Sequence, residues 1–317
     1  MTECLGLNLA EETMMNDTVT LPGIAFMDES FMPVTEARIP ILDWGFLRSD
    51  ATYDVVHVWQ GCFFRLESHL DRFFSSMKRP RLDCGRTRAE VASVLGECVV
   101  RAGLEDAYVE MTCTRGHSPD FARDPRKAIN RFIAFALPFS WILPPAERER
   151  GLDLAVSHIR RIPPDAVDPT VKNYHWLDLV MGLYDAYDRN ARNVVLTDGQ
   201  GNVTEGPGFN LFVVQNDHAV TPATGMLEGV TRQTAIELLA EMGTETILRP
   251  VAIEEVVTAE EVFITSTAGG IMAVTTIDGQ PVGNGHVGKL TRDLTEHYWE
   301  AHSREGWCDR VEDVIRH

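Results

Sequence analysis

Between Gly23 and Leu66 the apolar residues come in short β-rich runs, GIAFMD, FMPV, TYDVVHVW and CFFRL, divided by turn-forming residues, which predicts four strands. The period then changes. Leu70, Phe73, Phe74 and Met77 recur at helical spacing within Glu67 to Lys78. A second helix is expected from about Thr87 to Ala102, with Val91, Val94, Leu95, Cys98 and Val99 on its apolar side. Two more strands, AYVEMTCTR and RFIAFALPF, flank a polar loop, GHSPDFARDPRKAIN, of a length often given over to function. The segment PFSWILPPAERERG carries three prolines and ends in alternating charges, which marks a linker at 138–151. It separates an N-terminal α/β domain, 1–137, with an irregular arm over 1–20, from a C-terminal α/β domain, 152–317. The second part reads strand DLAVSHIR, helix WLDLVMGLYDAYDR, strands NVVLTD and FNLFVV, helix TRQTAIELLAEMG, strands TILRPVAI, EVFITST and IMAVTTI, and a last helix around Leu290 to His302. The fold class expected is α/β with α+β character, in two domains.

Composition narrows the function classes. Hydrophobic residues are 44% and charged residues 24%, the balance of a globular protein. Lys plus Arg total 29 against 47 Asp plus Glu, a formal net charge of −18, which repels phosphate backbones and argues against a nucleic-acid partner. Six scattered cysteines without C-x-x-C pairing argue against a zinc site or a disulfide framework, and fit a reducing cytoplasm. The N-terminal stretch lacks the basic and apolar regions of a secretion signal, and no apolar run approaches the roughly 18 residues of a membrane helix. Only four lysines are present, Lys78, Lys127, Lys172 and Lys289, so amine chemistry has few candidates.

Gly283 to Leu290, GNGHVGKL, approaches a phosphate-binding loop but ends in Leu where Ser or Thr must hold magnesium, and a polar turn replaces the buried strand that should lead into it. No G-x-S-x-G or H-E-x-x-H occurs, and the histidines show no metal-ligand spacing. Five other segments carry chemistry together. Lys172, in PTVKNYHW, opens an apolar helix. Glu205 precedes the Gly-rich turn EGPGFN. Gly229 and Thr231, in LEGVTR, stand at a helix N-terminus suited to anions. Thr265 to Gly270, TSTAGG, ends a strand with hydroxyls. Arg72 lies in a helix within RLESHLDR. An amine for a Schiff base, a carboxylate for a pyridine nitrogen and a cradle for a phosphate are what pyridoxal phosphate chemistry asks of a protein.

The order R-L-x-x-H-L-x-R, T-R-G, K-N, E-G-x-G-F-N, G-V-T-R and T-A-G-G resembles the fold-type IV pyridoxal-phosphate enzymes over about residues 23 to 303. That family includes branched-chain aminotransferases, D-amino-acid transaminases, aminodeoxychorismate lyases and (R)-selective amine transaminases. The resemblance implies the two-domain fold of D-amino-acid aminotransferases, pyridoxal 5'-phosphate as cofactor, Lys172 as the Schiff-base lysine and acid–base catalyst, and Glu205 at the pyridine nitrogen. It implies Arg72, Val230, Thr231, Ser266 and Thr267 around the phosphate.

The motifs S-D-x-T-Y-D-V, V-E-x-x-x-T-R-G, D-P-T-x-K-N and T-A-G-G-I-M are most similar to (R)-selective amine transaminases. That group implies a large pocket of Tyr53, Val55, Tyr108, Glu110 and Trp176, a small one near Thr267 and Ala268, and Arg48 entering from the partner subunit of a homodimer. Where D-amino-acid transaminases follow T-R-G with S-P-R-x-H, this chain has His117-Ser-Pro-Asp120-Phe-Ala122, so the usual carboxylate grip is missing and Arg123 or Arg126 stands as its substitute. The expected reaction passes an amino group from an (R)-primary amine to a keto acid such as pyruvate. A D-amino-acid or branched-chain aminotransferase is the alternative, followed by an aminodeoxychorismate lyase.

Overall fold

The computed structural model describes residues 21–316, so the arm expected over 1–20 lies outside the described residues. Seven antiparallel strands form a first sheet in the order Cys308–Arg310, Cys62–Phe64, Ala51–Trp59, Ala107–His117, Ile129–Pro138, Ile24–Met27 and Ser30–Pro33. The helices Leu66–Lys78 and Arg88–Ala102 bury Phe73, Leu95 and Cys98 against Val56, Val109 and Met111 of this sheet. The second helix starts where its pattern starts because Thr87 and Glu90 form a capping box, and it stops at Gly103, whose φ of 65° is the left-handed conformation that favours glycine.

A second, mixed sheet runs Thr246–Leu248, His218–Thr221, Phe209–Gln215, Glu261–Ser266, Gly270–Ile277, Leu152–Arg160, Asn193–Thr197, Asn202–Val203 and Val251–Ala252. Leu152–Arg160 and Asn193–Thr197 are parallel and joined through the helix Leu177–Asp188, as a parallel connection requires. Helices Val230–Glu241 and Lys289–Glu300 pack on the strands Glu261–Ser266 and Gly270–Ile277, around Phe212, Phe263 and Leu294. The architecture is the mixed α/β class that the strand and helix pattern implies.

The stretch after Pro138 carries Phe139 and Trp141 into an aromatic cluster with Trp59 and Trp299. Beyond the last long helix, Cys308–Arg310 returns to pair with Cys62–Phe64, and Val311 enters the core of the first sheet.

Two local expectations change, and a third is explained. TILRPVAI is two short strands, Thr246–Leu248 and Val251–Ala252, at opposite ends of the sheet, because Pro250 has no N–H to continue a ladder. The helix after Lys172 begins only at Leu177, since Asn173 turns the chain by donating to Val171 O and accepting from His175 N. The segment GNGHVGKL does lead into a helix, Lys289–Glu300, but the Glu261 carboxylate accepts from Leu290 N at 3.0 Å and Thr291 N at 2.8 Å. An internal anion thus fills the place a nucleotide phosphate would take.

Gly116 of the T-R-G motif sits at a bulge between Thr114 and His117, with φ of 66°, and a Cβ there would lie 1.8 Å from Ile129 O. Gly116→Ala is therefore expected to destabilise the fold by at least about 2 kcal/mol, read as a lowered urea midpoint, because backbone cannot yield as a side chain does.

Candidate active site

The site begins at an open sheet edge. Ala51–Trp59 pairs with Ala107–His117 from Ala51 to Val58, but on its other side Cys62–Phe64 reaches only Val58 and Trp59. The Lys172 segment takes part of the free edge. Tyr53 N donates to Lys172 O at 3.2 Å, and Thr52 and Asn173 form a bridge. Lys172 N in turn donates to Ser76 Oγ at 3.2 Å, which ties the segment to the helix Leu66–Lys78.

This pairing sets which side chains meet. Tyr53, Val55 and His57 alternate onto one face of their strand, opposite Thr112, Glu110 and Tyr108 of the next. Lys172 Nζ stands 4.2 Å from the centroid of the Tyr53 ring. Tyr53 stacks on Tyr174 with centroids 4.4 Å apart and planes within 6°. Tyr174 Oη donates to Glu110 Oε1 at 2.6 Å, and Tyr108 Oη and Thr112 Oγ1 reach the same carboxylate at 3.1 and 3.2 Å. Burial pushes the Glu110 carboxyl up, against these three hydroxyls and Lys172.

The Lys172 amine is lowered to about 8, first by desolvation and then by the Arg72 guanidinium, with Asp54, Glu110 and Glu205 pulling the other way. The other lysines, Lys78, Lys127 and Lys289, are exposed, with Lys127 bound to Asp120 and Lys289 to Asp293.

Across the cavity the second sheet supplies Glu205. It sits in a tight hairpin, Glu205–Gly206 against Phe209–Asn210, where a Cβ on Gly206 would strike the Phe209 ring at 2.0 Å. Glu205 Oε1 accepts from Arg161 Nε at 3.0 Å and Oε2 from Leu227 N at 2.9 Å. Arg161 Nη1 also donates to Asp178 at 2.7 Å. Burial raises the Glu205 carboxyl, and Arg161 and the Leu227 N–H oppose that shift.

At the third corner Gly229 opens the helix Val230–Glu241 with no side-chain cap, and a Cβ on it would lie 2.2 Å from Asn210 Oδ1. Val230, Thr231, Ser266, Thr267 and Arg72 line the same cavity as Lys172 and Glu205. Arg72 Nε and Nη2 are held by Asp54, and its Nη1 donates to Glu228 O at 3.1 Å. Buried Thr265 also lines the cavity, and its Oγ1 has no partner among the described residues.

Several expected residues lie away from this cavity in the single chain. Arg48 is exposed and covers the Trp44 ring at 3.6 Å. Arg123 is exposed. Arg126 is 83% exposed and engaged by Asp124, so the loop closes on itself rather than on Lys172. Asp120 accepts from Ser118 and Lys127 in the same loop. Ala268 holds the Ile142 N–H with its carbonyl, beside Thr267. Sequence reading missed Tyr174, Arg161, Asp178, Thr265 and Asp54. Tyr174, Thr265 and Asp54 stand inside the quoted motifs, whereas the pairing of Arg161 with Asp178 depends on the βαβ turn and left no motif. Among the described residues no cluster of His, Cys, Asp or Glu is placed to hold a metal ion, and no helix is long and apolar enough to cross a membrane.

The sequence model of the amino-transferase class IV family matches residues 51–277. A putative branched-chain-amino-acid aminotransferase of Methanocaldococcus jannaschii is 32% identical over 284 residues, covering 89% of this chain and 97% of its own. A D-alanine aminotransferase of Bacillus licheniformis is 30% identical over 83% of this chain and 91% of its own. Among solved structures, the T.th. branched-chain amino acid aminotransferase with pyridoxamine 5'-phosphate superposes with a TM-score of 0.86 at 25% identity, over 92% of this chain and 99% of that one.

The Lys172 value sets a direction for reactivity. Its neutral, nucleophilic fraction grows as pH rises through about 8, whereas Asp293 raises Lys289 and delays its deprotonation. Acetylation of the cofactor-free protein at pH 8, followed by peptide mass spectrometry, is expected to modify Lys172 ahead of Lys289, with a rate midpoint near pH 8; a Lys172 midpoint above about 10, the ordinary lysine value, would contradict the geometry.

Proposed function

The chain belongs to the class IV aminotransferases, and from that premise we propose that it transfers an amino group from an (R)-configured primary amine to a keto acid such as pyruvate. The family works with pyridoxal 5'-phosphate, and the residues of this cavity fit it. The unpartnered Thr265 hydroxyl and the helix N-terminus at Gly229, uncapped among the described residues, are polar groups without other employment in the cleft that also holds the buried Glu205 carboxylate. Arg72, Val230, Thr231, Ser266 and Thr267 would hold the phosphate, Glu205 would face the ring nitrogen, and Lys172 would attach the carbonyl carbon. When bound, this cofactor supplies a ring that withdraws electrons from the donor's Cα and stores the amino group between the two half-reactions.

The chain's own groups do the rest. Lys172 Nζ, half of it neutral already at about pH 8, accepts the Cα proton of the donor and delivers one to Cα of the acceptor in the return half-reaction. Its backbone is anchored on both sides, by Ser76 and by Tyr53, so the amine returns to one place after each proton transfer. Arg161 and Leu227 N–H aim the Glu205 carboxylate and favour its charged form, which would pair with a protonated ring nitrogen when the cofactor is bound. Tyr53 walls the cleft below Nζ and Trp176 lines it.

One observation supports a donor without a carboxylate. Among the described residues, the only arginines lining the cleft, Arg72 and Arg161, are already engaged, by Asp54 and by Glu205 with Asp178. The Tyr53 face of the sheet beside the cleft instead carries Glu110, a buried acid saturated by hydroxyls. A substrate carboxylate taken up there would be desolvated with no free arginine among the described residues to pair with. The (R) configuration is supported by the T-Y-D-V and V-E-x-x-x-T-R-G motifs. A second reading, an amino-acid aminotransferase, is favoured by the names of the relatives, one a branched-chain and one a D-alanine enzyme.

A homodimer completes the proposal. Leu177, Met181 and Tyr184 lie exposed along the helix that follows Trp176, and Phe46 beside Arg48 is exposed as well. A partner seated there would bury these side chains and could bring its Arg48 toward this cleft.

The deciding experiment is a donor screen against pyruvate with both enantiomers of an aryl-ethylamine, D-alanine and L-leucine. Turnover of the (R)-amine above its enantiomer is expected; turnover confined to D-alanine or L-leucine selects the second reading. Glu205→Gln is expected to retain the cofactor but lower kcat at least about tenfold, because a neutral amide forfeits a charge-assisted hydrogen bond.

A further inference from the structure

The proposed role of Arg72 at the phosphate leaves unexplained the carboxylate behind it. Asp54 follows Tyr53 in the strand and therefore points to the opposite face, where it is completely buried. Asp54 Oδ2 accepts from Arg72 Nε at 2.7 Å, and Oδ1 accepts from Arg72 Nη2 at 2.8 Å. The same Oδ1 lies 2.8 Å from His69 Nδ1 and accepts from Val55 N at 2.8 Å. Burial alone would raise the Asp54 carboxyl, yet Arg72 and His69 hold it well below the usual carboxylate range. Burial likewise lowers His69, which then serves as a neutral donor through Nδ1. The result is a guanidinium fixed along two of its edges, whose third nitrogen, Nη1, donates to the carbonyl just before Gly229.

We propose that Asp54 is a positioning residue for the cofactor phosphate: with His69 it clamps the Arg72 fork in the orientation that closes the cradle at Gly229 to Thr231. This rests on the cofactor reading given above. A bidentate carboxylate fixes both the plane and the reach of a guanidinium, which a point contact does not. The clamp also balances charge toward the lysine. Lys172 is faced by Arg72 and neutral His69 from one helix, by Asp54 and Tyr53 from the strand, by Glu110 from the neighbouring strand and by Glu205 from the second sheet. Arg72 depresses the Lys172 amine and Asp54 supports it, so the pair partly cancels there.

The test uses enzyme stripped of cofactor and titrated with pyridoxal 5'-phosphate, followed by absorbance. Asp54→Asn is expected to raise Kd about tenfold or more, the scale of a lost charge-assisted bidentate contact. It should also move the pH midpoint of Lys172 acetylation below the wild-type value, a shift that loosened packing alone would not give. Arg72→Met should weaken binding too, and adding Asp54→Asn to it should weaken binding no further, because Asp54 acts through Arg72. Unchanged Kd in Asp54→Asn, or an Asp54→Asn effect that persists in full on Arg72→Met, overturns the proposal. If Asp54→Asn does not fold, Arg72→Lys decides: charge without a fork is expected to bind as weakly as Arg72→Met, and recovery to within about threefold of wild type overturns the clamp. Failure of the underlying cofactor reading would look different, since wild-type enzyme would then take up no pyridoxal phosphate at Lys172.

Discussion

One backbone contact organises the site: the bond from Tyr53 N to the carbonyl of Lys172. A strand edge left open by a short hairpin neighbour is a liability that proteins cover. Here the covering segment carries the reactive amine, so closing the edge and delivering the amine are one event. The register fixes everything beside it. One residue of slip in this strand would send Tyr53 and Val55 away from Nζ and bring Asp54 into the cleft. The helix Leu66–Lys78 then reaches both sides of that strand position, through Ser76 to the lysine backbone and through Arg72 to the buried carboxylate.

Two glycine-started helices show how the same local chemistry is assigned different uses. At Gly288 the N-terminal N–H groups are satisfied by Glu261 of a neighbouring strand, and the helix end is structural. At Gly229 no side chain among the described residues takes that place, and the donors face a cleft that also holds Arg72 and Thr267. An uncapped helix end inside a fold needs a partner from somewhere. The contrast explains why GNGHVGKL, nearer to a phosphate motif in letters, is further from one in chemistry.

Much of this was legible in the chain. Strong periodicity located the strands 51–59 and 107–117 and the helices 66–78 and 88–102 nearly to the residue, because one face of each is buried in a single core. Lys172, Glu205, Arg72, Thr231 and Thr267 do share one cavity. What stayed hidden depends on tertiary closure. Arg161 gains its role only when a βαβ turn brings Asp178 and Glu205 to it. Tyr174 reads as a neighbour of the lysine, and only the stacking on Tyr53 turns its hydroxyl to Glu110. Asp54 reads as a polar interruption in an apolar strand, and its partners come from the following helix. Arg48 and Arg126 are the converse case: their motif positions are suggestive, and within one chain each is engaged on the surface.

The return of Cys308–Arg310 to the first sheet has a consequence for how the molecule is made. His57 and His302, 245 positions apart, share a hydrogen bond of 2.7 Å beside that strand. A ribosome releases the first sheet long before the segment that borders it, so this sheet must wait with the hairpin edge at Cys62–Phe64 unpartnered. Contacts of such span slow folding and leave the waiting edge open to other chains. The lysine segment, synthesised about midway, would shield the neighbouring edge earlier. The molecule would thus acquire its reactive centre before it acquires its final border strand.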